Sequence, residues 1–234
     1  MAFDIYVGPL TLYYAGEWEN AGQRYARKRG ASYSFIRPDS EEPAADPDEV
    51  REAVVAWRDA LAEVLQVRIA GPLTWDETGT LYASERPNWD GFSSLVLWAA
   101  YAEHPDLERP VAEVEHYRED PAYLRCTADG VIAKYSHIVR DLEFWLPWPF
   151  DGTLMAADPN GNVVGIGSSI TLARQLGELN QATWRADEAT LEQWRSEVPA
   201  RGSSFEALAR FGFATVFDLA VGAAEMRLPM KLDY

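Results

Sequence analysis

The chain contains 234 residues with a mass of 26.2 kDa, of which 47% are hydrophobic and 25% are charged. This composition is typical of a globular protein and excludes a chain that is disordered throughout. Thirty-seven acidic residues against 21 basic ones give a formal net charge of −16. A surface this acidic repels phosphate groups, so we expect neither nucleic acid nor a membrane as a direct partner.

The cysteine content and the apolar segments bear on the cellular compartment. Cys126 is the sole cysteine of the sequence, so it can form neither an intramolecular disulfide nor a thiolate metal cluster. Residues 1–6 lack the basic and long apolar stretches of a signal peptide. The most apolar segments, 92–102 and 211–224, are shorter than the roughly 20 residues that cross a bilayer. These features predict a cytoplasmic protein.

The N-terminal region predicts a strand, a helix, a second strand and a loop. Residues 3–7 alternate apolar and polar side chains, as a half-buried strand does. A helix is expected from about Glu17 to Arg29, ended by the glycine that follows, and a second strand over residues 33–37. This spacing is that of a βαβ unit, in which the two strands are parallel. The proline-rich acidic segment at about 38–48 is expected to form a mobile loop.

Residues 47–66 predict an amphipathic surface helix. Asp46 is placed to cap it, Pro47 suits the first helical position, and Glu49 is the acid of a capping box. The expected apolar face consists of Val50, Val54, Trp57, Leu61, Val64 and Leu65. The opposite face carries the acids Glu49, Glu52, Asp59 and Glu63. The helix therefore covers the core with one face and presents an acidic stripe to solvent.

The remaining segments predict further helices and one β-hairpin. A largely apolar helix is expected at about 91–103, and a helix capped by Asp120 should run from Pro121 toward Tyr135. The expected hairpin pairs residues 152–157 with 163–167 around a turn rich in Asp, Pro, Asn and Gly. The last three helices are expected at 169–180, at 187–197, and at 203–226 with a capping box from Ser203 to Glu206. Residues 1–234 thus predict one α+β domain, dominated by helix, with a small mixed sheet that includes the hairpin.

Histidine and cysteine offer little catalytic chemistry. His104, His116 and His137 have spacings that match no zinc signature and no helical ligand pair. Cys126 could be a nucleophile with one of them as base, but free cysteines are usually buried structural residues. Asp218 interrupts an apolar run, so it should either pair with Arg210 or Arg227 or serve as a catalytic carboxylate. We assign no catalytic residue, no metal and no cofactor.

A glycine-rich segment between an expected strand and an expected helix offers an alternative. Gly165, Gly167, Ser168 and Ser169 could direct backbone N–H groups at an anion, as helix N-termini do in phosphate sites. The pattern matches neither the P-loop nor the full dinucleotide-binding motif, and a plain helix cap by either serine explains it equally. An anion site here would suit a small-molecule enzyme or a ligand-binding protein.

Tryptophans in irregular segments suggest a second kind of surface. Trp75 is followed by Asp76, and Trp89 by Asp90, in stretches that contain glycine and proline. Aromatic residues beside acids are typical of protein-binding patches. They suit equally well a loop folded over the core.

The charges are concentrated in two stretches. Residues 39–63 contain nine acids and two arginines, and residues 103–120 contain seven acids and two arginines. Residues 23–37 carry five basic residues and no acid. Charge runs usually form solvated faces. Two acidic stretches of this density are also what a protein directed at a basic partner would carry.

The two ends of the sequence carry a resemblance. The opening Phe3-Asp4-Ile5-Tyr6-Val7-Gly8 and the closing residues 228–234 resemble a set of uncharacterised bacterial cytosolic proteins. In size, acidity and lack of a catalytic signature the chain also resembles the immunity proteins of polymorphic toxin systems. That resemblance implies an acidic, non-catalytic inhibitor that neutralises a basic toxin or enzyme through protein–protein contact. A nucleic-acid mimic, whose acids imitate phosphates, is a further reading.

Overall fold

Six strands and nine α-helices make up the part of the chain that the computed structural model describes, residues 3–31 and 46–234. The strands are β1 Asp4–Val7, β2 Ala83–Glu85, β3 Phe144–Leu146, β4 Leu154–Ala157, β5 Val163–Ser168 and β6 Met230–Asp233. The longer helices are α2 Ala21–Lys28, α3 Pro47–Leu65, α4 Trp89–Glu103, α7 Ser169–Ala182, α8 Glu188–Ser196 and α9 Phe205–Met226. The shorter ones are α1 Leu10–Tyr14, α5 Pro121–Thr127 and α6 Ser136–Val139.

The strands form one mixed sheet in the order β2-β1-β6-β3-β5-β4. β3 and β5 are parallel, and the other neighbours are antiparallel. β4 and β5 form the expected hairpin, whose turn is closed by Asp158 as its carboxylate accepts from the backbone N–H groups of Asn160 and Asn162. The predicted fold class, an α+β chain with a small mixed sheet and one hairpin, is confirmed.

Each face of the sheet is covered by a different set of helices. Because side chains alternate along a strand, Ile5, Trp145 and Leu232 face the core shared with α4, α7 and α9. Phe144 and Ile166 face the opposite way and pack with the apolar side of α3. The sheet is therefore a central layer between a large and a small helical layer.

The β1–β6 half of the second face is polar. Asp4 is almost fully buried and forms an ion pair with Arg86, and it also accepts from the backbone N–H of Ala21. Lys231 lies between the rings of Tyr13 and Phe144 and donates to a backbone carbonyl. Each buried charge thus has a partner, as burial in a protein interior requires.

Helices α4 and α9 form the most extensive contact between two elements of the described chain. They cross where Gly91 meets Gly212, and a Cβ atom on Gly212 would collide with the carbonyl group of Gly91. By length and composition α9 could cross a membrane, but its position is that of a core helix, packed on α4, α7 and α8.

Four predictions about the bounds and faces of the helices differ from the structure. The helix expected to reach Tyr135 ends at Thr127, because the chain turns at Gly130, whose φ of +76° is left-handed. The cap of α9 is Ser204, one residue later than expected, since its hydroxyl accepts from the N–H of Ala207. α2 begins at Ala21 rather than Glu17, and Val64 is exposed rather than part of the apolar face of α3.

Two predictions fall outside the described residues. The strand at 33–37 and most of the loop at 38–48 lie between residues 31 and 46. Both hydrogen-bonding edges of β1 are occupied by antiparallel neighbours, β2 and β6.

The crossing of α4 and α9 predicts a contrast between two helical glycines. Gly212→Ala should lower the free energy of unfolding by about 1–3 kcal/mol, because the new methyl group forces the helices apart. Gly177→Ala in α7 is the control, since its Cβ would meet no atom within 4 Å. That variant should gain up to about 1 kcal/mol from better helix propensity. Urea denaturation of both variants measures the difference, and equal effects would contradict a close crossing.

Candidate functional site

The outer face of α3 carries four carboxylates. Asp46 caps the helix by accepting from the N–H of Asp48 at 2.9 Å, and Pro47 occupies the first turn, as predicted. The capping box expected from Glu49 is not formed, since the Asp46 carboxylate bonds to Asp48 instead. Val54 and Leu61 bury the opposite side of the helix against the sheet. The outward residues, which we call the acidic face, are Glu49, Glu52, Asp59 and Glu63, and all four are exposed.

The two arginines of α3 leave the acidic face largely uncompensated. Arg51 pairs with Asp48 at 2.9 Å, outside the acidic face. Arg58 turns inward, donating to the backbone carbonyl of Trp75 at 3.1 Å with its guanidinium over the indole ring. Its Nε atom still lies 3.8 Å from the Asp59 carboxylate. Glu49, Glu52 and Glu63 form no ion pair with any residue that the structure describes.

Apolar side chains lie at the C-terminal end of the acidic face. Val64 and Val67 are largely exposed, on the last turn of α3 and just beyond it. Exposed valines next to unpaired acids form a mixed surface that can offer both charge and apolar area to a protein partner. The sequence pattern missed this feature, because it placed Val64 on the buried side.

Three of the seven acids in the second acidic stretch, residues 103–120, have contacts inside the molecule. The Glu103 carboxylate accepts from the N–H groups of Lys134 and Tyr135. Asp120 caps α5 and accepts from the Tyr101 hydroxyl. Asp106 forms an ion pair with Arg125, which helps to hold the pKa of its carboxyl below the usual range. The other four acids of this stretch are exposed and form no ion pair with a described residue: Glu108, Glu113, Glu115 and Glu119. The acidic face of α3 differs from them because its four acids lie on one side of a single helix.

Trp75 belongs to the core rather than to a contact surface. Only 7% of the residue is exposed, and it packs edge-on against Trp57 beneath α3. Its indole N–H donates to Glu77, and the same carboxylate accepts from the backbone N–H groups of Leu10 and Thr11 at the start of α1. Of the two interpretations of the tryptophan segments, a loop folded over the core is therefore the one that fits Trp75.

The other residues of the two tryptophan segments are partly available. Asp76 is exposed and accepts from the hydroxyl and N–H of Thr78, which lowers the pKa of its carboxyl. Trp89 is half-buried, with its ring 4.5 Å from that of Phe3, and Asp90 is exposed in the first turn of α4. Trp89 keeps part of its ring accessible, whereas Trp75 does not.

The glycine-rich segment serves packing. Gly165 and Gly167 lie on β5, and a Cβ atom on either would collide with the chain at Asp141, His137 or Leu142. Ser168 caps α7 by accepting from the N–H of Thr171 at 3.1 Å. Ser169 donates to the carbonyl of Leu146, and both serines are fully buried. The four residues proposed for an anion site are therefore enclosed, with their serine hydroxyls engaged within the protein.

Histidine and cysteine take structural positions. Burial lowers the pKa of His137 to about 4 and raises that of the Cys126 thiol to about 12, so both groups are neutral near pH 7. His104 caps the C-terminal end of α4. In residues 3–31 and 46–234, no group of three or more His, Cys, Asp or Glu residues is placed to hold a metal ion.

Asp218 pairs with a residue that sequence distance did not suggest. Its carboxylate forms an ion pair with Arg195 on α8, so the expected pairing with Arg210 or Arg227 is wrong. Arg210 instead pairs with Glu206 one turn away. Asp218 is exposed over about half of its side chain, 53%, so it is a surface residue rather than a buried carboxylate.

A cleft of about 900 Å³ opens on the opposite side of the sheet from α3. It lies where the large helical layer stops short of the hairpin. Leu142 and Met155 contribute apolar lining, Ser136 and Gln175 contribute polar lining, and the turn before Lys134 forms a rim.

Ser136 lines the cleft, and its hydroxyl lies 3.3 Å from Nδ1 of His137, which is fully buried. His137 Nε2 has no hydrogen-bond partner among the described atoms, and so the pair lacks the carboxylate that orients the base in a catalytic triad. The lowered pKa also makes this imidazole a poor proton acceptor. The Ser136–His137 pair therefore does not have the arrangement of a catalytic triad.

Comparison with known proteins found no matching family model, no matching curated protein and no matching solved structure.

Burial of His137 predicts a specific pH dependence of stability. The unfolded chain takes up a proton near pH 6.5, whereas the folded state resists it until about pH 4. Protonation therefore favours unfolding, and the stabilising effect, complete above pH 6.5, is lost as the pH falls toward 4. Between pH 7 and about pH 4 the wild type should lose about 3 kcal/mol more than His137→Asn.

Chemical denaturation at a series of pH values measures this loss. His116→Asn, on an exposed residue, is the control and should follow the wild type. A parallel pH dependence of the wild type and His137→Asn would contradict a neutral buried imidazole.

Proposed function

We propose that this protein is an acidic, non-catalytic binding protein of the immunity type, which neutralises a basic toxin or enzyme through the acidic face of α3. The observation that carries the proposal is the set of four exposed carboxylates on one helix face, three of them without an ion pair in the described chain. The partner is a protein with a cationic surface, and neither nucleic acid nor a membrane is a partner.

Electrostatics supports rapid capture of such a partner. The four acids lie along about 21 Å of helix, since α-helices rise 1.5 Å per residue. Like charges on one face repel one another, and a cationic surface relieves that repulsion while it is attracted by the net charge of −16. Complementary charge of this kind accelerates association more than it adds affinity.

A rigid support and nearby apolar groups favour protein contact over simple solvation. α3 is fixed at its start by the Asp46 cap and along its length by buried Val54, Leu61 and Leu65. The face can therefore meet a partner without an ordering cost to the backbone. Val64 and Val67 supply apolar area beside the acids. Partly buried Trp89, with exposed Asp90, is a second candidate patch.

The alternative function, a small-molecule enzyme or a ligand-binding protein, has little support at the anion site proposed for it. It required accessible N–H groups near Gly165–Ser169, and that segment is buried with its serine hydroxyls engaged. We therefore do not retain it as the proposed function.

Reversal of the acidic face tests the proposal. The variant Glu49→Lys, Glu52→Lys, Asp59→Lys, Glu63→Lys should fold normally, because exposed charges contribute little to stability. Its association with the partner should be at least about tenfold slower, since steering by the face is reversed. The partner is isolated from the native host with the wild-type protein as bait, and association rates are measured at about 50 mM and about 500 mM salt.

A matched control separates position from total charge. Glu108→Lys, Glu115→Lys, Glu119→Lys, Glu225→Lys reverses four exposed acids elsewhere, so the formal net charge changes from −16 by the same eight units. This control should keep most of the wild-type rate and its decrease with salt. Equal association rates for the wild type, the reversed acidic face and the control would contradict a role of the acidic face in binding. Association rates that do not change with salt would contradict it as well.

A further inference from the structure

Ile132 is an apolar side chain held out into solvent. It is 96% exposed, in the turn that follows α5. The guanidinium of Arg140 donates to the carbonyls of Thr127 and Val131 on one side of the turn. On the other side, the Glu103 carboxylate accepts from two consecutive backbone N–H groups, those of residues 134 and 135. A braced turn presents this isoleucine at a fixed position instead of letting it fold back onto the surface.

A recess that can accept such a side chain, the 900 Å³ cleft, lies beside Ile132 on the same face. Ile132 forms part of the rim of the 900 Å³ cleft, whose lining includes the apolar side chains of Val131, Leu142 and Met155. Met155 and Val163 on the hairpin are 65% and 70% exposed, and they lie on the side of the sheet that the helical layer leaves uncovered. The face therefore combines a projecting apolar residue with an apolar recess.

The charges around the cleft are balanced. Its charged lining residues are Lys134, Arg140, Arg174, Glu103, Asp141 and Asp151. Three cations oppose three anions, on a chain whose formal net charge is −16. A predominantly acidic surface repels its own copy, whereas a balanced one can place each sign opposite the other across a two-fold axis.

We propose that this face binds a second copy of the chain in a two-fold symmetric dimer, in which Ile132 of each copy enters the cleft of the other. A projection and a recess on one face are what an isologous interface requires, because each copy then supplies both halves of the contact. Burial of the two isoleucines and of the hairpin side chains drives the association. The acidic face of α3 lies on the opposite side of the sheet, so it stays open in the dimer.

Sedimentation velocity of the purified full chain tests the dimer. The wild type should approach twice 26.2 kDa as its concentration rises. Ile132→Asp should raise the dimer dissociation constant at least about 100-fold, since each dimer loses two buried isoleucines. Met155→Asp, in the cleft, should weaken the dimer as well. Val111→Asp is the control, because Val111 is an exposed valine that does not line the cleft; it should dimerise like the wild type.

Salt gives a second readout. Two copies of an acidic chain repel each other, and salt screens this repulsion, so the dimer should tighten between about 50 mM and about 500 mM salt. Circular dichroism and thermal melting should show that all three variants fold. The proposal is wrong if the wild type sediments as a monomer up to about 200 μM, a range that covers weak transient dimers. It is also wrong if Ile132→Asp dimerises like the wild type.

Discussion

Helices α4 and α9 cross at Gly91 and Gly212, and the rest of the fold is arranged around that contact. Two glycines allow the backbones to approach closely, and the two largely apolar helices then cover one face of the sheet together. α7 and α8 pack on α9, while the neighbouring strands β1 and β6 lie beneath it in the sheet. This layer contacts β5 through α7, but Met155 on the edge strand β4 stays exposed on that side of the sheet. The cleft lies beside this exposed part of the edge strand.

The acids of this chain fall into two groups with different physical roles. Buried carboxylates such as Asp4, Glu77 and Asp120 accept hydrogen bonds from backbone N–H groups, and each joins segments that are distant in sequence. A buried charge is tolerated when its hydrogen-bonding capacity is used in this way. The acids of the α3 face make no such contacts, apart from the long approach of Arg58 to Asp59. Negative charge that does not hold the fold together is available for a partner.

The two proposed surfaces differ in electrostatic character and lie on opposite sides of the sheet. The α3 face is acidic and should bind a cationic protein less well as salt rises. The cleft face is charge-balanced on a strongly acidic chain, so its self-association should improve with salt. A dimer through the cleft would present two acidic faces outward, which increases the local density of binding sites for a partner.

Features that depend on neighbours in sequence were predicted from the sequence, and features that depend on distant contacts were not. Asp46-Pro47 and the period of valines and leucines predicted α3 to within one residue at its C-terminal end, and the Asp-Pro-Asn-Gly turn predicted the hairpin. The acidic face follows from α3 itself, because the helical period alone places its acids opposite the core. Only the tertiary structure showed that Trp75 is buried and that Asp218 pairs with Arg195. It also showed that Gly165 in β5 lets the backbone at Asp141 pack close to the strand. The cleft beside Ile132 also depends on tertiary structure, since four parts of the sequence line it: Glu103, residues 123–142, residues 151–155, and residues 174–175. Helix capping and hydrophobic periodicity involve residues that are close in sequence, so they can be recognised from the sequence alone. The burial of a side chain and the partner of an ion pair depend on which distant parts of the chain pack together.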